Sequence, residues 1–192
     1  MEKSFSVAVV VEHDQNEIRP VTYEVLNAAR EIGGLITAYY FCNNPEVNAQ
    51  PLIQRGADEV RVCLHPDFEN YIHETYAAGL ITEIKKSQPN VILLSASNNG
   101  KELAAEVSAR LQVGLATDCI ELKLSAEGDI IIKRPVFSGK AHLVGQLNGP
   151  HPYLLTLRPN IFRGDASYNE SRNGQVFKAE INLPNFTNAV KG

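Results

Sequence analysis

The feature that most constrains this chain is a regular strand–helix alternation running from Phe5 to Leu111. Phe5 to Glu12 is β-branched and almost continuously apolar, the pattern of a strand covered on both faces. Ile18 to Ile32 follows with Val21, Val25, Leu26, Ala29 and Ile32 on one helical face, and Gly33-Gly34 ends it as a C-terminal cap does. A strand at Leu35 to Phe41, a short helix at Val47 to Arg55 and a strand at Glu59 to Leu64 repeat the unit. The spacing of Tyr71, Ile72, Tyr76, Leu80, Ile81 and Ile84 predicts a longer helix over Phe68 to Ser87, stopped by Pro89. A buried strand at Asn90 to Ser95 and a helix at Asn99 to Leu111 complete the series. Alternation of this kind dictates an α/β fold in three layers: a doubly wound, mostly parallel sheet with helices on both faces and right-handed crossovers.

After Gly114 the rhythm changes. Leu115 to Leu124, Ile130 to Phe137, His142 to Leu147 and Tyr153 to Leu157 all read as strands, separated by turns at Glu127-Gly128-Asp129, Ser138-Gly139 and Asn148-Gly149-Pro150. This reads as an antiparallel or mixed extension of the same sheet. Residues 1–162 therefore form one domain. Residues 163–192 read as a polar, mobile loop and a short edge strand, Gln175 to Ile181, belonging to that domain.

At 192 residues, the chain can bury about 70% of its unfolded surface and needs no staples for a core. A net charge of −4 removes the basic face that general nucleic-acid binding requires. No apolar run approaches the ~20 residues that span a bilayer. Met1-Glu2-Lys3-Ser4 leads straight into the first strand without a leader pattern, so the expected location is cytoplasmic. Cys42, Cys63 and Cys119 have neither paired nor metal-ligand spacing and read as buried, reduced thiols; no metal site is expected.

In an open parallel sheet, ligands bind beyond the carboxyl ends of the strands. Two loops meet that condition, Glu12-His13-Asp14-Gln15-Asn16 and Ser95 to Gly100. Ser97, Asn98, Asn99 and Gly100 are candidates for holding a phosphate at a helix amino terminus. Those residue types are also what any helix start requires, so capping is the simpler account. His13 beside Asp14 could form an acid–base pair, but no nucleophile or orienting group accompanies it. No catalytic constellation is present: Glu102 and Glu106 mark an exposed helix face, and His142 and His151 have no ligand spacing. Two Arg-Pro strings also stand out, Arg134-Pro135-Val136-Phe137 and Arg158-Pro159-Asn160-Ile161-Phe162. Pro suits a strand edge or terminus, and a guanidinium fixed there can lock neighbouring segments or hold a carboxylate.

The run Ser97-Asn98-Asn99-Gly100-Lys101-Glu102-Leu103-Ala104-Ala105 continues to Leu111, and Gly114-Leu115-Ala116-Thr117-Asp118-Cys119 follows it. Together they resemble the amino-terminal domain of the electron-transfer flavoprotein alpha subunit. There a Gly-[RK]-[DE]-Leu-Ala helix leads into an Asp-Cys strand, and two Arg-Pro motifs follow. The resemblance extends from about Phe5 to Phe162. It departs at Phe137-Ser138-Gly139-Lys140, where the family usually has an aromatic, two glycines and often Asn. The Ser-Gly-Gly-Arg and Gly-Gln-Thr-Gly strings of the family's FAD domain do not occur, so residues 163–192 would be the stub of a linker to that absent domain.

The resemblance implies an adenine-nucleotide-hydrolase-like fold without catalysis of its own. It implies a scaffold that packs against a beta subunit, in a heterodimer carrying electrons on FAD from dehydrogenases to a quinone reductase or other acceptor. FAD would belong to the complete complex, and no cofactor is expected on this chain alone. Arg134, Pro135, Gly139, Arg158 and Pro159 then become structural or interface residues. Self-association of the isolated chain would follow from an uncovered partner surface. The competing reading is a free-standing adenine-nucleotide-binding module that uses Ser97 to Gly100 for phosphate.

Overall fold

The computed structural model describes residues 5–164 and 168–184. Its strands are β1 (Ser6–Val10), β2 (His13–Asp14), β3 (Glu17–Ile18), β4 (Leu35–Cys42), β5 (Glu59–Leu64), β6 (Val91–Ser95), β7 (Leu115–Cys119), β8 (Glu121–Leu124), β9 (Ile130–Val136), β10 (Ala141–Gln146), β11 (Tyr153–Leu157) and β12 (Gln175–Glu180). Its helices are α1 (Pro20–Ile32), α2 (Gln50–Gln54), α3 (His73–Ser87) and α4 (Asn98–Leu111). Seven strands form one parallel sheet in the order β12-β5-β4-β1-β6-β11-β7.

The central strands are apolar on both faces because two separate cores cover them. Val7 and Val9 turn towards α1 and α2, packing with Leu26, Ile32, Leu52 and Ile53. Ala8 and Val10 turn the other way, towards Tyr76 and Leu80 of α3 and Leu103 and Val107 of α4. The period of two along β1 thus divides its side chains between the layers. Cys42, Cys63 and Cys119 are free thiols buried in these cores.

Four local readings of the sequence are adjusted. The longer helix starts at His73, not Phe68. Phe68 closes a 3₁₀ turn and is buried between Phe41 and Tyr76, with ring centroids 5.3 and 5.1 Å away, and that wedge delays the helix. The short helix shrinks to Gln50–Gln54, where Asn48 Oδ1 accepts the Gln50 N–H at 3.1 Å and Pro51 sits in the first turn. The loop after β1 is a small hairpin, β2 against β3, turned on the left-handed residues Gln15 and Asn16.

The fourth adjustment positions the site. The expected strand Leu115 to Leu124 breaks between Cys119 and Glu121, just past Asp118, whose φ is +61°. Its first half, β7, joins the main sheet beside β11. Its second half, β8, starts a separate three-stranded antiparallel sheet in the order β10-β9-β8. Leu122, Ile130 and Ile132 anchor that small sheet in the core beneath α1. The expected edge strand forms as β12, parallel to β5, with all six of its residues exposed. Residues 1–4, 165–167 and 185–192, which include parts of the expected loop and linker stub, lie outside the described residues.

Candidate functional site

Two places bring the singled-out residues together. The first is the carboxyl end of β1 and β6, where the chain passes to β4 on one side and to β6 on the other. This is the switch point at which doubly wound sheets open a crevice. Ser97 caps α4: its Oγ accepts the Gly100 N–H at 2.9 Å. The same hydroxyl donates to Glu12 Oε2 at 2.7 Å. The other oxygen of Glu12 pairs with Arg19, while Thr22 Oγ1 and the Arg19 N–H hold the Glu12 backbone at 2.9 and 2.8 Å. A carboxylate is therefore fixed by hydrogen bonds beside the helix amino terminus, in the electrostatic position a phosphate would take. Gly100 is obligatory there, since a Cβ would lie 2.0 Å from the Ser95 carbonyl oxygen.

Between these groups lies a cavity of about 40 Å³, walled by Val10, Leu94, Leu103, Tyr71 and Tyr76. The Tyr71 hydroxyl donates to the Asn99 carbonyl at 2.8 Å, closing one side. His13, on β2, is half-buried. Its Nε2 lies 2.7 Å from the Phe41 carbonyl, an acceptor, so the ring proton sits on Nε2 and Nδ1 offers a lone pair. Burial is the main cause that lowers the His13 pKa, keeping the ring neutral. His13 Nδ1 and Ser95 Oγ are buried, line the cavity and have no hydrogen-bond partner among the described residues. Two or three water-sized groups are what such a volume admits.

The second place is the corner where β7 and β11 end. Arg158 Nε and Nη2 donate to Asp118 Oδ1 and Oδ2 at 2.9 and 2.5 Å, a two-pronged grip. The Arg158 N–H also donates to the Cys119 carbonyl at 2.9 Å, and the Asp118 N–H to Thr156 Oγ1 at 2.9 Å. Asp118 holds its left-handed backbone through these contacts, and the Arg158 guanidinium keeps its carboxyl below the usual carboxylate range. Burial pushes the Cys119 thiol beside it up to about 12. Arg158 thus ties β11 to β7, and Pro159 terminates β11 directly afterwards. An Ala96 N–H to Leu157 carbonyl bond of 2.6 Å connects this corner to the crevice loop.

Arg134 and Pro135 lie on β9. Pro135 sits past the last residue of β9 that β8 pairs with, where the missing N–H costs no ladder bond on that side. The turn to β10 places Phe137 and Ser138 at φ +50° and +55° and Gly139 at +85°. Phe137 is 79% exposed, and Leu143 and Val144 of β10 are also exposed. Among the described residues, β10 pairs with β9 alone and forms an edge of its sheet.

The remaining titratable candidates stay apart: Glu106 pairs with Arg110, Glu102 approaches His73, and His151 contacts the Asn90 carbonyl. Among the described residues, no three His, Cys, Asp or Glu side chains are grouped to hold a metal. No described helix is long and apolar enough to cross a membrane. Sequence reasoning missed Glu12 as the partner of the Ser97 loop. Its signal was an acid placed directly after a buried strand.

A family model for the electron transfer flavoprotein domain matches residues 7–183, nearly the whole chain and every element of both places just described. The chain belongs to the electron transfer flavoprotein family. It is 34% identical over 153 residues to the electron transfer flavoprotein subunit alpha of Syntrophomonas wolfei, covering 80% of this chain and 48% of the relative. It is 31% identical over 189 residues to the lactate dehydrogenase (NAD(+),ferredoxin) subunit LctC of Acetobacterium woodii, covering 96% and 45%. The alpha subunit of Bacillus subtilis is 28% identical over 188 residues, covering 96% and 57%. The chain spans about half the length of these curated relatives.

Electron transfer flavoproteins are FAD-associated, and two openings among the described residues bear on that group. The crevice cavity is far below the several hundred Å³ a cofactor of that size needs, and Glu12 presents a negative charge where the diphosphate would have to lie. A larger cleft of about 580 Å³ runs between Pro45, His65, Pro66 and the Glu180–Leu183 segment. Among the described residues its lining carries no Lys or Arg, and Glu180 adds a carboxylate. Neither opening fits FAD.

Proposed function

We propose that this chain is the scaffold and assembly part of an electron transfer flavoprotein alpha subunit. It docks a beta subunit through the β9–β10 hairpin, and the flavin is carried by other parts of the assembled complex. Dehydrogenases and the terminal acceptor, a quinone reductase or another protein, engage that complex and not this chain alone. Within this reading, residues 1–162 are the docking body, and β12 lies along the far edge of its sheet, beside β5.

The observation that carries the reading is the hairpin. A folded chain rarely leaves a large aromatic uncovered on a left-handed backbone, because both the exposed ring and the conformation are unfavourable. Phe137 has both properties, and the family's usual glycine at the next position is here Ser138 at φ +55°. Strain and exposure concentrated at one tip, flanked by exposed Leu143 and Val144, fit a knob that a partner covers. The competing phosphate-binding reading meets the Glu12 carboxylate at the same helix terminus.

Co-expression with a beta subunit tests the proposal. The wild-type pair should co-purify in equal amounts, while Phe137→Asp should purify alone with an unchanged melting temperature. Equal capture of wild type and Phe137→Asp would defeat it.

A further inference from the structure

We infer that Arg134 is a socket for an acidic side chain presented by the docked subunit, an inference that rests on the hairpin being the docking surface.

Arg134 continues the inward series of β9. Ile130 and Ile132 on that face are buried, and Arg134 is the next residue of the same parity. Its Nε is buried and has no hydrogen-bond partner, and its guanidinium makes no ion pair with any described residue. A buried donor left in that way costs free energy until an acceptor arrives. The carboxylate that its charge reaches, Asp118, is already gripped through both oxygens by Arg158.

The surroundings define the acceptor. From Ile130 to Leu147 the hairpin carries Lys133, Arg134 and Lys140 and no Asp or Glu, a local charge of +3 in a chain of net −4. Lys133 is satisfied by Glu121 at 2.7 Å. Arg134 faces Leu143 directly across the strands, so both lie on one face of the small sheet, and Phe137 stands at its tip. A cation beside exposed apolar side chains suits a Glu or Asp set in an apolar patch of a protein surface. Such a carboxylate would accept two parallel N–H bonds from the fork.

The test measures affinity of the full chain for a purified beta subunit by titration calorimetry at low and high salt. It compares the wild type with Arg134→Gln, Arg134→Lys and Leu143→Asp, at a temperature where every variant is folded. Arg134→Gln should weaken binding about 30-fold or more and flatten its salt dependence. Arg134→Lys should recover part of the affinity, and neither change should lower the melting temperature of the free chain. If Arg134→Gln binds like wild type while Leu143→Asp does not, the hairpin still docks and the Arg134 socket is wrong. If Leu143→Asp also binds like wild type, the docking surface itself is wrong, and the socket with it. A melting temperature that falls in Arg134→Gln with affinity unchanged makes Arg134 a packing residue and overturns the inference. So does a stabilisation by inorganic phosphate alone that Arg134→Gln abolishes, since it assigns the fork to a small anion.

Discussion

The Ser97 hydroxyl donates to Glu12 Oε2 at 2.7 Å across 85 positions of sequence, and this bond joins the end of β1 to the start of α4. A helix amino terminus that other folds of this class leave open to a ligand is occupied here by the chain's own carboxylate.

Adenine nucleotides and inorganic phosphate should therefore leave the chain's stability unchanged. Saturation at a hundred times Kd would add about 2.7 kcal/mol, readily seen as a rise in melting temperature. A rise with micromolar AMP or ATP would contradict the closed crevice. Ser97→Ala should cost about 1 kcal/mol through loss of the cap.

Gly100→Ala should destabilise more than the loss of that cap. The added Cβ meets backbone, the Ser95 carbonyl, which cannot swing aside as a flexible side chain would. A loss on the order of 2–3 kcal/mol, several degrees in Tm, is expected in a thermal melt.

The Asp118–Arg158 pair sets a pH dependence whose sign follows from the lowered Asp118 pKa. A carboxyl depressed in the folded state stabilises fully above its unfolded pKa, and the contribution disappears as pH falls through the lower folded value. Asp118→Asn keeps a residue tolerant of left-handed backbone and removes the charge. The pair is partly solvent-exposed, so the loss at neutral pH should stay within about 1 kcal/mol. Wild type and variant should converge in acid. Parallel melting curves at every pH would show that the pair does not contribute through charge.

Burial raises the pKa of all three thiols, and Cys119 to about 12, so little thiolate exists at neutral pH. An exchange reagent should react slowly with the native chain and count three thiols after denaturation without reductant. Fast native reaction, or recovery of one thiol, would contradict the buried, reduced state.

The three-layer sheet was legible because its cause is local: Val7 to Val11 and Val91 to Leu94 are apolar at every position, which only a strand covered on both faces permits. The site was less so. Ser97 as a cap could be read from the residues before α4. Glu12 as its partner could not, because the bond depends on β1 and β6 being neighbours and no local pattern encodes that. The division after Gly114 was hidden for a related reason. Asp118 adopts positive φ only because Thr156 and Arg158, nearly forty positions later, hold it. The delayed start of α3 likewise follows from Phe68 packing on Phe41 across the fold.

β12 has a consequence for the order in which the molecule opens. It lies at the margin of the sheet with all six residues exposed, and it is held to β5 by strand pairing, by Arg61 over the Phe177 ring and by Arg172 to Asp58, a contact 114 positions apart. Closing so long a loop comes late in folding and is undone first. The amides of Gln175 to Glu180 should thus exchange with solvent through a small sub-global opening that withdraws at most Ile181 from the core and leaves the helix-covered sheet in place. A protease that cuts ahead of β12 would release it as a peptide and leave the nucleus of the fold, β4 through β6, still assembled.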